Sequence, residues 1–371
     1  MDIQFWIINL CCAFLLCALF TGIVIPQILL IAFRKQLFDE PDGRKIHHSV
    51  IPRLGGIAFK PVVFFSIALL LGVNLTLGHQ EILTEMGNNI RPLAFGFCTI
   101  MLLYLVGIAD DLIGVRYRAK FVIQILCGVA LISGGMWIND LHGVLGIYEI
   151  PVWLGWPLTI FITVFIINAI NLIDGIDGLA SGLCSAAFLF YGLAFYLSGR
   201  YFYSMLAFAT LGVLVTFFYY NVFGDPNKQK KIFMGDTGSL TIGMMLCFLG
   251  ITLSVSEPIA SVGNPNPLVL AFVPLLVPCC DVVRVYLHRI RNGKNPFLPD
   301  KNHIHHKLLA VGMRQRTAMI TVVSVSLLLT LCNIVLSIYI NINWLIIGDV
   351  VVWTLANIWL SNRIKRSLSA L

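Results

Sequence analysis

The stretch "NAINLIDGIDGLASG" (168–182) places an amide and two carboxylates between two very apolar runs of the chain. Its candidate site residues are Asn171, Asp174 and Asp177. Ionisable groups at membrane level are costly and indicate a functional site by default. Asp174 and Asp177 are three residues apart, so on a helix they would lie on one face.

Three further polar clusters stand at the ends of apolar runs. "GIADDLIGVRYRAK" contains Asp110 and Asp111, which would point about 100° apart on a helix and so have different roles. "KKIFMGDTGSLTIG" places Asp236 at a predicted helix N-terminus, where free N–H groups favour negative charge. "PFLPDKNHIHHKLLAVG" adds three histidines, which are His303, His305 and His306.

This set of side chains is suited to phosphate chemistry with a metal. Mg²⁺ prefers oxygen ligands and commonly takes one or two carboxylates together with substrate phosphates. Nearby histidines, arginines and lysines suit a diphosphate and its developing charge. The clusters therefore predict phosphoryl transfer from a nucleotide-activated donor to a lipid phosphate. Zinc is less favoured, because "HIHH" has no further ligand at a zinc-site spacing.

Each cluster taken alone also has a plain structural interpretation. Asp236 could merely cap its helix, and Asp110 and Asp111 could pair with Arg116 and Arg118 in a solvated loop. The aspartates at 174 and 177 could form a polar helix end, and the histidines could be surface residues. The predicted convergence of all four clusters on one face favours a site.

The elements that position these residues are predicted to be membrane-spanning helices. The 371 residues are 58% hydrophobic and 12% charged, whereas soluble domains are about 25% charged. Apolar runs of about 20 residues recur along the chain, which indicates one all-α polytopic membrane domain over 1–371. We predict about eleven transmembrane helices: 4–33, 53–77, 91–109, 121–138, 152–170, 179–198, 204–222, 239–256, 267–288, 317–340 and 343–360.

The positive charges give the predicted orientation. Of the 25 Lys and Arg residues, only Arg91 and Arg200 fall in one set of alternate loops, and Lys60 lies inside a span. The positive-inside rule then places the N-terminus outside and the C-terminus in the cytoplasm. The net charge of +7 suits anionic headgroups or phosphate substrates and not nucleic acid. The predicted cytoplasmic catalytic loops are about 34–53, 110–120, 171–178, 223–238 and 289–316.

The ninth predicted span contains Pro267, Pro274 and Pro278. Interior prolines remove helix hydrogen bonds and kink a helix. A kinked ninth helix would open a lipid-facing groove for a polyprenyl chain, although a kink with packing value alone is the alternative. Asp281 and Arg284, which follow, are predicted to form a buried ion pair.

At these residues the chain resembles the polyprenyl-phosphate N-acetylhexosamine-1-phosphate transferases, the superfamily of the WecA, TagO and MraY enzymes. "HIHH" is similar to the WecA and TagO branch, which favours a UDP-N-acetylhexosamine donor without a peptide. The resemblance covers most of the chain, with its motifs in the family's order. The motifs are "FDEPDGRKIHHSVIPRLGG" (38–56), "ADDLIGVR" (109–116), "NLIDGIDGLASG" (171–182), "FMGDTGSL" (233–240) and "PFLPDKNHIHH" (296–306).

The resemblance implies that undecaprenyl phosphate attacks the β-phosphate of UDP-GlcNAc and releases UMP at the cytoplasmic face of a bacterial inner membrane. It implies Mg²⁺, with Mn²⁺ as a substitute, bound by Asp236 with Asn171 near it. Asp110 is then the candidate base that deprotonates the lipid phosphate, with Asp111 in support and His303 also catalytic. Direct attack and a covalent two-step route both stay open. So do the identity of the N-acetylated sugar and the pathway, O-antigen or teichoic acid among them.

The same resemblance assigns the binding residues and a homodimer. Asp174, Asp177 and Phe233 would form the nucleotide pocket, with the phenyl ring stacked on uracil. Sugar and diphosphate would be bound by His303, His305, His306, Arg289 and Arg291. A rim would be formed by Lys45, His47 and Arg53.

Rival functions fit the pattern less well. The alternative that we keep is a secondary transporter using membrane-face carboxylates, although transporters usually place them near the midplane and often have internal repeats. An intramembrane aspartyl protease has Gly three residues before its second Asp, where this chain has Phe233. CDP-alcohol phosphotransferases have Ala-Arg after their first "DG". A non-enzymatic scaffold would tolerate Asp236→Asn.

Overall fold

Helices make up nearly all of the computed structural model, which describes residues 3–37, 51–256, 259–293 and 302–369. Ten helices in this part of the chain are long and apolar enough to cross a membrane, which confirms a polytopic all-helical class. The described α-helices are Ile3–Lys35 (α1), Phe59–Thr76 (α2), Glu81–Asn88 (α3), Ile90–Ile113 (α4), Tyr117–Ser133 (α5), Val152–Ile173 (α6), Leu179–Leu197 (α7), Tyr201–Phe223 (α8), Gly235–Ser254 (α9), Pro267–Phe272 (α10), Leu276–Arg291 (α11), Ile304–Ala310 (α12), Gln315–Leu336 (α13) and Ile342–Ser369 (α14).

The predicted span over 121–138 is shorter in the structure than in the sequence analysis. It corresponds to α5, which has 17 residues and ends where Gly134 caps the helix and Gly135 adopts a φ of +85°. A helix of this length is at the lower limit for crossing a bilayer. The count of eleven spans and the outside N-terminus therefore stay predictions.

Helix α9 is the centre of the bundle, and every residue from Thr237 to Ser254 is buried. It packs against α4, α6, α7 and α10. Small residues allow these close approaches, as in other membrane bundles. A Cβ at Gly107 of α4 would lie 2.4 Å from the Cα of Thr237, and a Cβ at Gly56 would lie 2.0 Å from the backbone nitrogen of Gly238.

The predicted kink in the ninth span is present as a local break in α-helical hydrogen bonding, within a segment that stays helical from Pro267 to Arg291. The segment divides into α10 and α11, separated by the 3₁₀ turn Val273–Leu275. Pro267 takes no part in the break, because it occupies the first turn of α10, where a missing N–H is tolerated. Pro274 lies in the 3₁₀ turn and Pro278 in the first turn of α11, and both remove backbone donors there.

A small β-hairpin joins α5 to α6, an addition to the predicted all-helical fold. Its strands Asp140–Val144 (β1) and Ile147–Glu149 (β2) are antiparallel. Leu145 and Gly146 between them both have positive φ, as tight hairpin turns require. The Asn343 side chain of α14 accepts a hydrogen bond from the Leu145 N–H (2.7 Å) and donates to the Gly143 carbonyl (2.8 Å), so the hairpin fixes the end of α14 opposite the polar clusters.

Gly107→Ala should lower the free energy of unfolding by about 1–3 kcal/mol, because the added methyl group overpacks the α4–α9 contact. Thermal unfolding in detergent measures the effect. Gly72→Ala on α2 is the matched control, because a Cβ at that helical position meets no neighbour within 4 Å. Equal midpoints for the two variants would show that the α4–α9 contact does not need glycine.

Candidate active site

The carboxylate of Asp111, near the end of α4, caps the N-terminus of α9. Its oxygens accept hydrogen bonds from the backbone N–H groups of Asp236 and Thr237, both at 2.8 Å, and from the Thr237 hydroxyl at 2.6 Å. The first N–H groups of a helix have no partner within the helix, and a negative charge there is favourable. Asp111 therefore caps α9, a role that the sequence analysis gave as one alternative for Asp236.

Because Asp111 caps the helix, the carboxylate of Asp236 is directed to other partners. The Asn171 amide at the end of α6 donates to Asp236 Oδ1 (2.5 Å) and to Ser239 Oγ (2.8 Å). The Lys120 ammonium lies 3.6 Å from Asp236 Oδ2. The structure therefore brings together Asp236 and Asn171, the two residues predicted to hold a metal.

Asp110 makes contacts different from those of its neighbour in sequence, as the helical angle predicts. Its Oδ1 accepts a hydrogen bond from the Val115 N–H (2.6 Å), and its Oδ2 lies 2.5 Å from Lys120 Nζ. The partner is thus Lys120 and not Arg116 or Arg118. The lysine bridges the candidate base and the candidate metal ligand.

The two aspartates between α6 and α7 lie in a loop, so the prediction that they share a helix face is wrong. Gly178 has a φ of +78°, a conformation that favours glycine and interrupts the helix. Its N–H donates to Asn221 Oδ1 at 2.6 Å. Asp177 pairs with Lys231 at 2.5 Å, whereas Asp174 reaches solvent on one side.

The surroundings of Asp174 are strongly negative. Desolvation by the enclosing protein, together with the charges of Asp236 and Asp177, raises the pKa of Asp174 to about 7, although Arg53 acts in the opposite direction. Like charges disfavour ionisation of a further carboxyl group. Part of the rise in this pKa thus comes from neighbouring carboxylates, an arrangement that suits a bound cation.

Backbone pairing holds the segment before α2 against the segment before α9. The Phe233 N–H donates to the Pro52 carbonyl and the Phe233 carbonyl accepts from the Gly55 N–H, both at 2.9 Å. A Cβ at Gly235 would lie 2.1 Å from the Arg53 carbonyl oxygen. The predicted rim residue Arg53 and the predicted nucleotide residue Phe233 are thus neighbours.

A buried carboxylate anchors the histidine helix α12 to α11. Asp281 Oδ2 lies 2.8 Å from His303 Nδ1, and Asp281 Oδ1 accepts from the Ile304 N–H (3.0 Å) and from Arg284 (2.8 Å). The predicted ion pair of Asp281 and Arg284 is present. It also orients His303, which the sequence analysis did not foresee.

His305 is the histidine that contacts the α6–α7 loop. A Cβ at Gly175 would lie 2.2 Å from His305 Nε2, so only glycine leaves room for the ring. Burial, followed by the neighbouring charges of His306 and His303, lowers the pKa of His305 to about 3. Neither ring nitrogen has a hydrogen-bond partner among the described residues. The ring therefore lies buried and neutral.

The other predicted binding residues differ in their placement. His306 packs 4.2 Å from His305, measured between ring centroids. Arg289 is buried on the inner face of α11, whereas Arg291 is exposed. Lys45 and His47 lie outside the described residues, so their assignment to the rim stays a prediction.

A recess of about 220 Å³ opens beside the α6–α7 loop. Its lining combines one carboxylate, two cations and an amide with an apolar wall. Arg316 also donates to the Val222 carbonyl at 3.2 Å, which fixes the start of α13 at this edge. The lining residues are Asp177, Val222, Lys231, Gln315 and Arg316.

The described residues contain no group of three or more histidine, cysteine, aspartate or glutamate side chains placed to hold a metal ion. Asp236 with Asn171 is a smaller oxygen set. Mg²⁺ is often bound in this way, by one or two carboxylates with waters and substrate phosphates completing its shell.

Three lysines at the site escaped the sequence analysis. Lys120 and Lys231 pair with the site carboxylates, and Lys307 of α12 lies 3.1 Å from Ser361 Oγ and 3.3 Å from Asn357 Oδ1 on α14. All three lie within or beside the quoted motifs. Lys231 and Lys307 have partners at least 50 residues away, so residue spacing gives no signal for those pairs, whereas Lys120 is ten residues from Asp110 in the same motif.

Comparison with known proteins supports the resemblance. Residues 93–254 match the family model described as glycosyl transferase family 4. The chain is 29% identical over 309 residues to an undecaprenyl-phosphate alpha-N-acetylglucosaminyl 1-phosphate transferase of Yersinia pestis, covering 82% of this chain and 78% of that protein. It is 28% identical over 315 residues to the protein of the same name in Escherichia coli K12, covering 84% and 79%. A probable undecaprenyl-phosphate N-acetylglucosaminyl 1-phosphate transferase of Bacillus subtilis is 28% identical over 337 residues, covering 89% and 85%.

Asp111→Asn should lower the free energy of unfolding by about 1–3 kcal/mol, because an amide cannot accept all three hydrogen bonds at the start of α9. Asp110→Asn is the matched control and should cost less, since its contacts lie at the α4–α5 turn. Thermal unfolding of both variants in detergent tests the difference. A larger loss for Asp110→Asn would contradict the capping role of Asp111.

His305→Gln should weaken the pH dependence of stability. The unfolded chain binds a proton on this histidine as the pH falls below 6.5, whereas the folded chain does not until about 3. Stability should therefore fall as the pH is lowered through this window. Unfolding midpoints between pH 7 and pH 5 should fall less in the variant than in the wild type. His288→Gln, at an exposed histidine of α11, should keep the wild-type slope, and identical slopes for all three proteins would refute the assignment.

Proposed function

We propose that this member of glycosyl transferase family 4 transfers N-acetylglucosamine 1-phosphate from UDP-GlcNAc to undecaprenyl phosphate and releases UMP. The observation that carries the proposal is the convergence of all four polar clusters, in a chain whose relatives are named for this reaction. Asp111 and Asn171 both contact the start of α9, and His305 contacts Gly175 beside Asp174. The reaction is a first membrane step in making a cell-surface polysaccharide.

Asp236 and Asn171 would hold Mg²⁺, with Mn²⁺ as a substitute. The geometry that supports this is their direct contact. The chemical support is the group of neighbouring carboxylates, whose charges add to desolvation in raising the pKa of Asp174. A bound Mg²⁺ would neutralise the diphosphate of the donor and complete its coordination with phosphate oxygens.

Asp110 is the candidate base for the lipid phosphate. Its carboxylate shares the Lys120 ammonium with Asp236, so the candidate base and the candidate metal ligand contact the same cation. An incoming phosphate would compete for this ammonium, because Lys is an effective partner for phosphate oxygens. Lys120 would thereby guide the acceptor phosphate to Asp110.

The recess beside Asp177 is the candidate site for the uridine. Its cations are Lys231 and Arg316, and Lys231 pairs with Asp177. Asp174 and Asp177 lie in the α6–α7 loop, and Phe233 precedes α9. The buried His303 and His305, with Arg289, would face the sugar and diphosphate.

The polyprenyl chain would lie along the broken ninth span. A 3₁₀ turn interrupts the α-helix between α10 and α11, and α11 carries Asp281, which anchors the histidine helix. The excess of Lys and Arg in one set of loops would orient the site to the cytoplasm. A homodimer stays a prediction from the family.

The transporter alternative is not supported. The relatives reported above are named as transferases, and the carboxylates of the site lie at helix ends or in loops. Purified protein supplied with UDP-GlcNAc and undecaprenyl phosphate should release UMP only when both the lipid and Mg²⁺ are present. If UMP is released only from a different UDP-sugar, the reaction stands and the proposed donor is replaced by that sugar. If folded protein releases no product from any nucleotide sugar, the proposal is overturned.

Asp236→Asn should lower Mg²⁺-dependent UMP release by at least about a thousandfold, because the metal would lose its charged ligand. Asp225→Asn is the matched control, since Asp225 lies in the loop before α9 and caps only a 3₁₀ turn. It should keep wild-type turnover. Normal turnover of Asp236→Asn would exclude the metal role.

A further inference from the structure

The first turn of α2 carries a cation that contacts aromatic and apolar side chains. Lys60 lies in the membrane-spanning segment Gly55–Thr76 and is half-buried. Its ammonium lies 4.8 Å from the Phe64 ring centroid and 5.3 Å from that of Tyr104, and it contacts the sulfur of Met101. These contacts include no carboxylate, and Lys60 takes part in no ion pair with another described residue.

The amine faces the lipid side of the bundle. Met101, which it contacts, is 41% exposed, and Leu105 one turn further along α4 is 50% exposed. Met101, which contacts Lys60, lies about 120° around the helix from Gly107, which faces α9. The contact between Lys60 and Met101 is therefore outside the face of α4 that packs on α9.

The height of Lys60 corresponds to a lipid headgroup. Its helix follows the 3₁₀ turn Gly55–Ala58, which packs on the start of α9 beside Asp236. Sixteen residues separate Lys60 from Thr76, so about 24 Å of helix lies between the amine and the other membrane face. Tyr104 reaches the same level, because its hydroxyl donates to the Ile57 carbonyl at 3.0 Å.

We propose that Lys60, with the Tyr104 ring beside it, binds the phosphodiester of an anionic glycerophospholipid in the leaflet that contains the active site. A lysine at this depth extends its amine toward the interface, where anionic headgroups supply the partner that the protein contacts lack. The acceptor substrate is a different phosphate, whose proposed place is beside Asp110 and Lys120. The site is thus a structural lipid site between α2 and α4.

Binding of phosphatidylglycerol to the delipidated full-length protein, followed by native mass spectrometry in detergent, tests this inference. Lys60→Met should weaken the first bound phosphatidylglycerol by about fivefold, whereas Lys60→Arg should retain it. Lys230→Met, at an exposed lysine of the loop before α9, should have no effect. Phosphatidylcholine should bind equally to all four proteins.

Two results would overturn the proposal. The first is equal phosphatidylglycerol affinity in Lys60→Met and the wild type, which would mean that the lysine only extends to the interface. The second is loss of undecaprenyl phosphate binding without loss of phosphatidylglycerol, which would assign Lys60 to the acceptor. An unchanged unfolding midpoint shows that Lys60→Met is folded, and the measurement does not depend on the proposed transferase activity.

Discussion

The cap that Asp111 places on α9 is the interaction on which the rest of the site depends. It joins the end of α4 to the start of the most buried helix through three hydrogen bonds. Because Asp111 occupies the free N–H groups, Asp236 in the same turn is left to face Asn171 and Lys120. One carboxylate performs the structural task, and the other is available for chemistry.

This cap works only because the surrounding backbone comes very close to α9. Glycines at 56 and 107 face the turn that Asp111 caps, and a side chain at either position would collide with it. Backbone pairing of Phe233 with Pro52 and Gly55 holds the preceding segment in place. The rigidity of the site thus comes from close backbone packing in a helix that is buried along its whole length.

The balance of charge divides the site into two parts. Lys120 and Lys231 each contact a carboxylate, yet desolvation and the nearby charges of Asp236 and Asp177 still raise the pKa of Asp174 to about 7. On the other side, Asp281 holds His303 and the start of α12, while His305 stays neutral against Gly175. A negative region suited to a metal therefore faces a region of histidine and arginine suited to phosphates.

The sequence by itself determined the membrane class, the four polar clusters, the different contacts of Asp110 and Asp111, and the kink in the ninth span. These features follow from the length of apolar runs, the angle between helix positions and the missing N–H of proline, which are all local properties. Only the tertiary structure decided that Asp111 caps α9, that Lys120 is the partner of Asp110, and that Asp174 and Asp177 lie in a loop. These outcomes depend on how helices cross. The Asp111–Asp236 contact joins positions 125 residues apart, and the positive φ of Gly178 is set with its hydrogen bond to Asn221 on another helix. No spacing within one segment contains that information.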